Sequence, residues 1–94
     1  MSFVLKDPDA VLDYLFDWGA DYLGDGDLLA ASEWSVDPDE QGGVAVTGSD
    51  FAPSTSTVKV GGGIAGRIYR VVNKVTTASG RVDERSIVIR VEDR

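Results

Sequence analysis

From Tyr69 to Val91 the chain alternates apolar and polar positions with period two. Tyr69, Val71 and Val75 share one parity, Ala78-Ser79-Gly80 interrupts it, and Ile87, Ile89 and Val91 resume it. This pattern predicts two antiparallel strands joined by a tight turn, with one face buried. A hairpin of this kind is not stable alone in water, so the remaining residues must supply a facing sheet.

Upstream, two local structures compete. Asp7 before Pro8 is a good helix start, and Val11, Leu12, Leu15, Phe16, Gly19, Tyr22 and Leu23 fall on one helical face. In the alternative, Leu12, Tyr14, Phe16 and Trp18 alternate with Val11, Asp13, Leu15 and Asp17 as a strand. A helix would also stack Asp9, Asp13, Asp17 and Asp21 at like-charge spacing, which favours a strand over Val11–Trp18 followed by a helical turn near Gly19–Leu23. Leu28–Val36 reads as the next strand, ended by Pro38 and Gly42-Gly43. Val44–Thr47 and Thr57–Val60 read as two more, with a loop or one extra edge strand near Asp50–Ala52.

Strand after short strand with turn residues between them predicts an all-β fold, a single immunoglobulin-like antiparallel β-sandwich. The sandwich domain is expected over 10–94, preceded by an N-terminal arm over 1–9. Trp34 is the expected centre of a core that includes Val58, Val60, Tyr69, Val71, Val75, Ile87 and Ile89. Tyr69 is expected to pack its ring inward and bond its hydroxyl to a nearby loop.

Composition narrows the function classes. At 94 residues and 43% hydrophobic, the chain fits one domain with a modest core. It has no cysteine, which removes disulfides, thiolate metal sites and cysteine nucleophiles. No apolar run reaches membrane-spanning length and Met1–Asp9 lacks the order of a signal peptide, so synthesis in a cytoplasm is expected. The net charge is −7, divided unevenly: residues 1–50 hold one lysine, Lys6, against twelve acids, and residues 51–94 hold eight basic residues against four acids. An acidic total argues against nonspecific nucleic-acid binding. The two halves either pair internally or meet across copies and partners.

Candidate chemistry is sparse. Histidine is absent, and with it the Ser-His-Asp and Cys-His arrangements. Asp13 with Asp17, or Asp83 with Glu84, are conceivable acid–base pairs without a supporting context. The acids Asp21, Asp25 and Asp27 lack calcium-loop spacing and read as a solvated turn, and Gly61–Gly66 lacks the Lys-Ser or Lys-Thr and the helix of a phosphate cradle. No catalytic, cofactor or metal site is therefore expected. Protein contact is the better reading of two features. Phe3, Val4 and Leu5 form an apolar run before Pro8, a candidate docking arm. On the outer face of the hairpin, Ile68, Arg70, Val72 and Lys74 alternate on one strand with Val88 and Arg90 on the other. A register that sets Val72 against Val88 would make Arg70 face Arg90, calling for an acid over them, with Asp13, Asp17, Asp21, Asp25 and Asp27 as candidates from the same molecule or a neighbouring copy.

Several blocks in order complete the reading: Lys6-Asp7-Pro8-Asp9, Val11-Leu12-Asp13-Tyr14, Asp17-Trp18, Gly26-Asp27 and Ser32-Glu33-Trp34-Ser35-Val36. They continue with Gly62-Gly63-Ile64-Ala65-Gly66, Tyr69, Thr76-Thr77-Ala78-Ser79-Gly80-Arg81 and Asp83-Glu84-Arg85-Ser86. Together they resemble a family of small tailed-bacteriophage virion proteins of the fiber–tail adaptor type, with a departure at Asp37–Gly43. The resemblance implies an immunoglobulin-like, non-enzymatic structural protein of the tail or neck. Its expected partners are other virion proteins and further copies of itself, with no nucleic acid and no membrane. It would be made in the host bacterial cytoplasm and reside in the virion. The rival readings are a capsid decoration protein and a carbohydrate-binding host-attachment module, for which Phe51 is the exposed aromatic candidate.

Overall fold

The computed structural model describes residues 2–24 and 26–93. Its strands are β1 (Ser2–Lys6), β2 (Leu12–Asp17), β3 (Leu29–Asp37), β4 (Ala45–Phe51), β5 (Thr55–Gly61), β6 (Ile68–Thr77) and β7 (Val82–Val91), with one helical turn, α1 (Trp18–Asp21). They form two packed sheets, one in the order β1-β7-β6-β3 and one in the order β2-β5-β4. The second, fifth and fourth strands on one side, and the third, sixth and seventh on the other, reproduce the strand partition of an immunoglobulin domain. β1 joins the larger sheet, parallel to β7.

The β6–β7 hairpin follows from its turn. Gly80 has φ +93°, the left-handed value that ends a three-residue hairpin loop. Thr77 accepts from the Gly80 N–H at 2.9 Å and donates to the Arg81 carbonyl at 2.8 Å, so the loop is Ala78–Gly80, centred on Ser79. The register that results sets Arg70 opposite Val88, Val72 opposite Ser86 and Ile68 opposite Arg90. Arg70 therefore does not face Arg90. The expected pairing was displaced by two residues, a shift that leaves every side chain on its expected face.

β2 is a strand, antiparallel to β5 with Leu12 opposite Val60 and Asp17 opposite Thr55. Its Asp13, Leu15 and Asp17 point outward, while Phe16 is buried. The chain then turns through α1 and places Trp18, fully buried, at the centre of the core. This corrects the expectation for Trp34. That residue lies on β3, an edge strand, where Phe16 stacks on it at 5.7 Å but leaves it half-buried. Val58, Val60, Tyr69, Val71, Val75, Ile87 and Ile89 are all buried as expected. Tyr69 turns its hydroxyl to the loop before β6, where it accepts from the Ile64 N–H at 3.2 Å.

Residues 1–9, read from the sequence as an arm, contain β1. Ser2 to Lys6 run in register with Ile87 to Val91 of β7. Lys6 is buried, and its ammonium donates to the carbonyls of Asp7 and Gly62. The loop it grips is tightly built: a Cβ on Gly62 would meet the Gly43 carbonyl oxygen at 2.5 Å. β4 extends to Phe51 across an irregularity between Val46 and Gly48, which absorbs the extra edge strand considered near Asp50–Ala52.

Candidate interaction surfaces

The register assembles a mixed apolar and basic surface on the outside of the four-stranded sheet. Across it, Phe3 stands beside Val88, Val88 beside Arg70 and Arg70 beside Asp37; in the next row Leu5, Arg90 and Ile68 are neighbours. Phe3, Leu5 and Ile68 are 59%, 42% and 55% exposed, high values for large apolar side chains on one continuous face. Arg70 donates to Ser86 Oγ at 3.2 Å, and Arg90 pairs with Glu92 at 3.0 Å. Val72 lies between Ser86 and Ser35, and Lys74 between Glu84 and Glu33. Eight of the residues read from the sequence as contacts thus share this face: Phe3, Leu5, Ile68, Arg70, Val72, Lys74, Val88 and Arg90. Val4 does not, because it pairs with Ile89 and packs toward the core.

Asp13 and Asp17 lie on the outside of the other sheet. They flank Leu15, which is 52% exposed, and Asp13 is opposite Lys59. Asp13, Leu15 and Lys59, with Thr47, Asp50 and Thr57, line a shallow groove of about 590 Å³. The sandwich stands between these aspartates and the outer face of the hairpin, so within one molecule they do not cover Arg70 and Arg90.

Two charged residues, Asp27 and Lys6, hold the surfaces in place, and Asp27, a candidate acid over Arg70 and Arg90, reaches the hairpin at its turn instead. Asp27 accepts from the Ser79 hydroxyl at 2.8 Å, the Ser79 N–H at 3.2 Å and Arg81 Nη2 at 3.0 Å, which fastens the segment before β3 to the β6–β7 turn. The Ser79 bond, with help from Arg81 and against some desolvation, holds its carboxyl well below the usual carboxylate range. Arg81 also lies over the Tyr22 ring at 4.6 Å. Asp27 is therefore a clamp and not a solvated acid. Asp25 lies outside the described residues. Lys6 is the second case: burial pushes its ammonium pKa down, opposed by Asp7 and Asp9. Neither partnership had a sequence signal, since Asp27 lies 52 and 54 residues from Ser79 and Arg81, and Lys6 lies 56 from Gly62.

No group of three or more potential metal-ligating residues gathers among the described residues. Phe3 and Phe51, the large aromatics that are exposed, belong to different sheets and form no shared stacking platform.

A family model described as podophage GP4 fiber-tail adaptor protein gp77 matches residues 6–90. The chain belongs to this family. The match runs from Lys6 through all but the last residue of β7, so it takes in both sheets and the basic hairpin face. Membership of the fiber-tail adaptor family makes the chain a structural component of the phage virion that contacts other virion proteins. No curated protein matches the sequence.

Proposed function

We propose that this fiber-tail adaptor works without catalysis, as a rigid connector in the tail or neck, and that it docks on a neighbouring virion protein through the outer face of its four-stranded sheet. The observation that carries the reading is the juxtaposition of exposed Phe3, Leu5 and Ile68 with Arg70 and Arg90 on one flat surface, in a chain of a fiber-tail adaptor family. Four strands about 4.8 Å apart and roughly 30 Å long present on the order of 600 Å², close to the roughly 800 Å² that each partner of a standard interface buries. The apolar side chains would supply the buried centre of such a contact and the arginines its register and partner choice. The opposite face, with Asp13, Leu15 and Asp17, is a second contact surface, as a connector requires. The net charge of −7 supports partners other than nucleic acid. No helix among the described residues is long and apolar enough to cross a membrane.

The test is reversal of both arginines in assembling phage. R70E/R90E should fold with an unchanged circular dichroism spectrum and be depleted from purified virions by about tenfold or more, as expected for losing charged contacts at an interface. Incorporation at the parental level would overturn the reading.

A further inference from the structure

We propose that two copies of this chain join edge to edge through β1, antiparallel about a twofold axis, so that their four-stranded sheets run into one.

Open sheet edges invite pairing, and proteins guard them with charges, bulges, prolines or irregular register. The edges among the described strands are β1 and β3 in one sheet and β2 and β4 in the other. Three are guarded. β2 alternates Asp13 and Asp17 on its outer side, so pairing it with another β2 would bring carboxylates together. β3 has a register shift between Leu29 and Ala31, carries Glu33 and Asp37 outward and meets Pro38. β4 shifts register between Val46 and Gly48 and carries Asp50. Within Ser2–Lys6, β1 has none of these devices, and Asp7-Pro8 follow it outside the Phe3–Leu5 stretch that would pair. Its pairing with β7 is regular over Ser2–Lys6, it contains no acid and no proline, and its one charge, on Lys6, is buried and engaged by the carbonyls of Asp7 and Gly62.

The backbone is set for a partner. Lys6 accepts from the Glu92 N–H at 2.9 Å, which directs its backbone groups toward β7. By alternation Val4 does the same, and Phe3 and Leu5 present their N–H and C=O groups at the open edge. In an antiparallel arrangement centred on Val4, Phe3 exchanges both backbone hydrogen bonds with Leu5 of the second copy, and Leu5 with its Phe3. The side chains then cluster Phe3 and Leu5 of both copies on the outer face, where each is now exposed. On the inner face Val4 meets Val4. It is half-buried in the single chain because the sheet of four strands faces one of three, with β3 against β4, which leaves β1 overhanging. A second copy fits this edge because no like charges are opposed across it, and because an isologous contact closes at two copies. Ser2–Leu5 precede the residues matched by the family, so most of this edge lies outside the matched span.

The experiment is sedimentation of the purified full chain over a micromolar to high-micromolar range. The expected mass is twice the 10.0 kDa of one chain. F3K/L5K sets lysine against lysine at both hydrogen-bonded pairs and should return the mass to one chain with circular dichroism unchanged. Mixing F3K/L5K with F3E/L5E should restore the doubled mass. The chain has no cysteine, so V4C reports the register directly. Directly opposed residues in a non-hydrogen-bonded pair lie about 4.5 Å apart at Cα, within disulfide range, and mild oxidation should link V4C to itself while leaving L5C unlinked. A single-chain mass at every concentration, a doubled mass that F3K/L5K leaves intact, or L5C linking as readily as V4C would each overturn the pairing. A single-chain mass in isolation overturns self-pairing whatever F3K/L5K protein does in virions, because Phe3 and Leu5 also lie on the docking face. The proposal does not rest on the docking face: R70E/R90E protein that enters virions normally removes that reading and leaves this one standing.

Discussion

Asn73 is fully buried and ties the two sheets together. Its Oδ1 accepts from Ser56 Oγ at 2.6 Å and Trp18 Nε1 at 3.3 Å, and its Nδ2 donates to Ser32 Oγ at 2.8 Å and the Glu33 carbonyl at 3.1 Å. A polar group so placed is stabilising only while every partner is met. Asn73→Ala removes those bonds and strands buried groups, at about 1–3 kcal/mol for each one left unsatisfied. Urea denaturation should show a lower midpoint with an unchanged slope. Asp27 is the other residue whose single change carries a clear sign. Its pKa is depressed in the folded state, so between the folded and unfolded values the unfolded chain binds more protons and stability rises with pH. The stabilisation is complete above the unfolded pKa of about 3.9 and is lost as pH falls toward the folded value. Asp27→Asn should therefore be less stable than the parent at neutral pH, with the gap narrowing under acid; a gap independent of pH would show that the carboxylate charge contributes nothing.

At the scale of elements, the β6–β7 hairpin depends on one backbone angle. Gly80→Val forces a branched residue to φ +93°, and the left-handed penalty of about 1–2 kcal/mol should appear as a lower thermal midpoint without loss of the sandwich. The two strands of this hairpin were legible because both follow period two and are bounded by a recognisable turn. Their register was not, because the positive φ of Gly80 decides which three residues form the loop, and composition alone does not state that angle. Trp18 and Trp34 show a related limit. Either tryptophan suits a core, and only topology reveals that β3 is an edge while the turn at α1 carries Trp18 inward. For β1 the apolar run Phe3-Val4-Leu5 was plain, but its pairing depends on a parallel neighbour 85 residues downstream in the sequence, Ser2 with Ile87. Lys6 is what fixes that strand to the Gly62 loop. Lys6→Ala should therefore speed amide exchange in β1 while leaving the central amides of β6 and β7 protected.

Over the whole molecule, the acidic first half and basic second half do not become two opposed faces. β3, from the acidic half, lies beside β6, so Glu33 neighbours Lys74 and Asp37 neighbours Arg70 within a single sheet. Asp27 reaches Arg81 at 3.0 Å and Glu40 reaches Arg67 at 3.5 Å, again joining the two halves. Much of the asymmetry along the chain is thus neutralised by folding. What stays distinct is the local setting of the charges: Arg70 and Arg90 stand among Phe3, Leu5 and Ile68 on one side, and Asp13 and Asp17 flank Leu15 on the other. Exposed ion pairs of this kind contribute about 0–1 kcal/mol each and are screened by salt, so the isolated chain's thermal midpoint should move by less than about 4 °C from low to physiological ionic strength. Docking through the arginine-bearing face has a different dependence, because complementary charges act on the approach of two separate bodies and their attraction is screened beyond about 8 Å at physiological ionic strength. Association with the virion partner should therefore slow several-fold over the same salt range, and R70E/R90E should abolish that sensitivity. Equal salt slopes for the parent and R70E/R90E would place the electrostatic contact elsewhere, with the aspartate face of the smaller sheet the next surface to reverse.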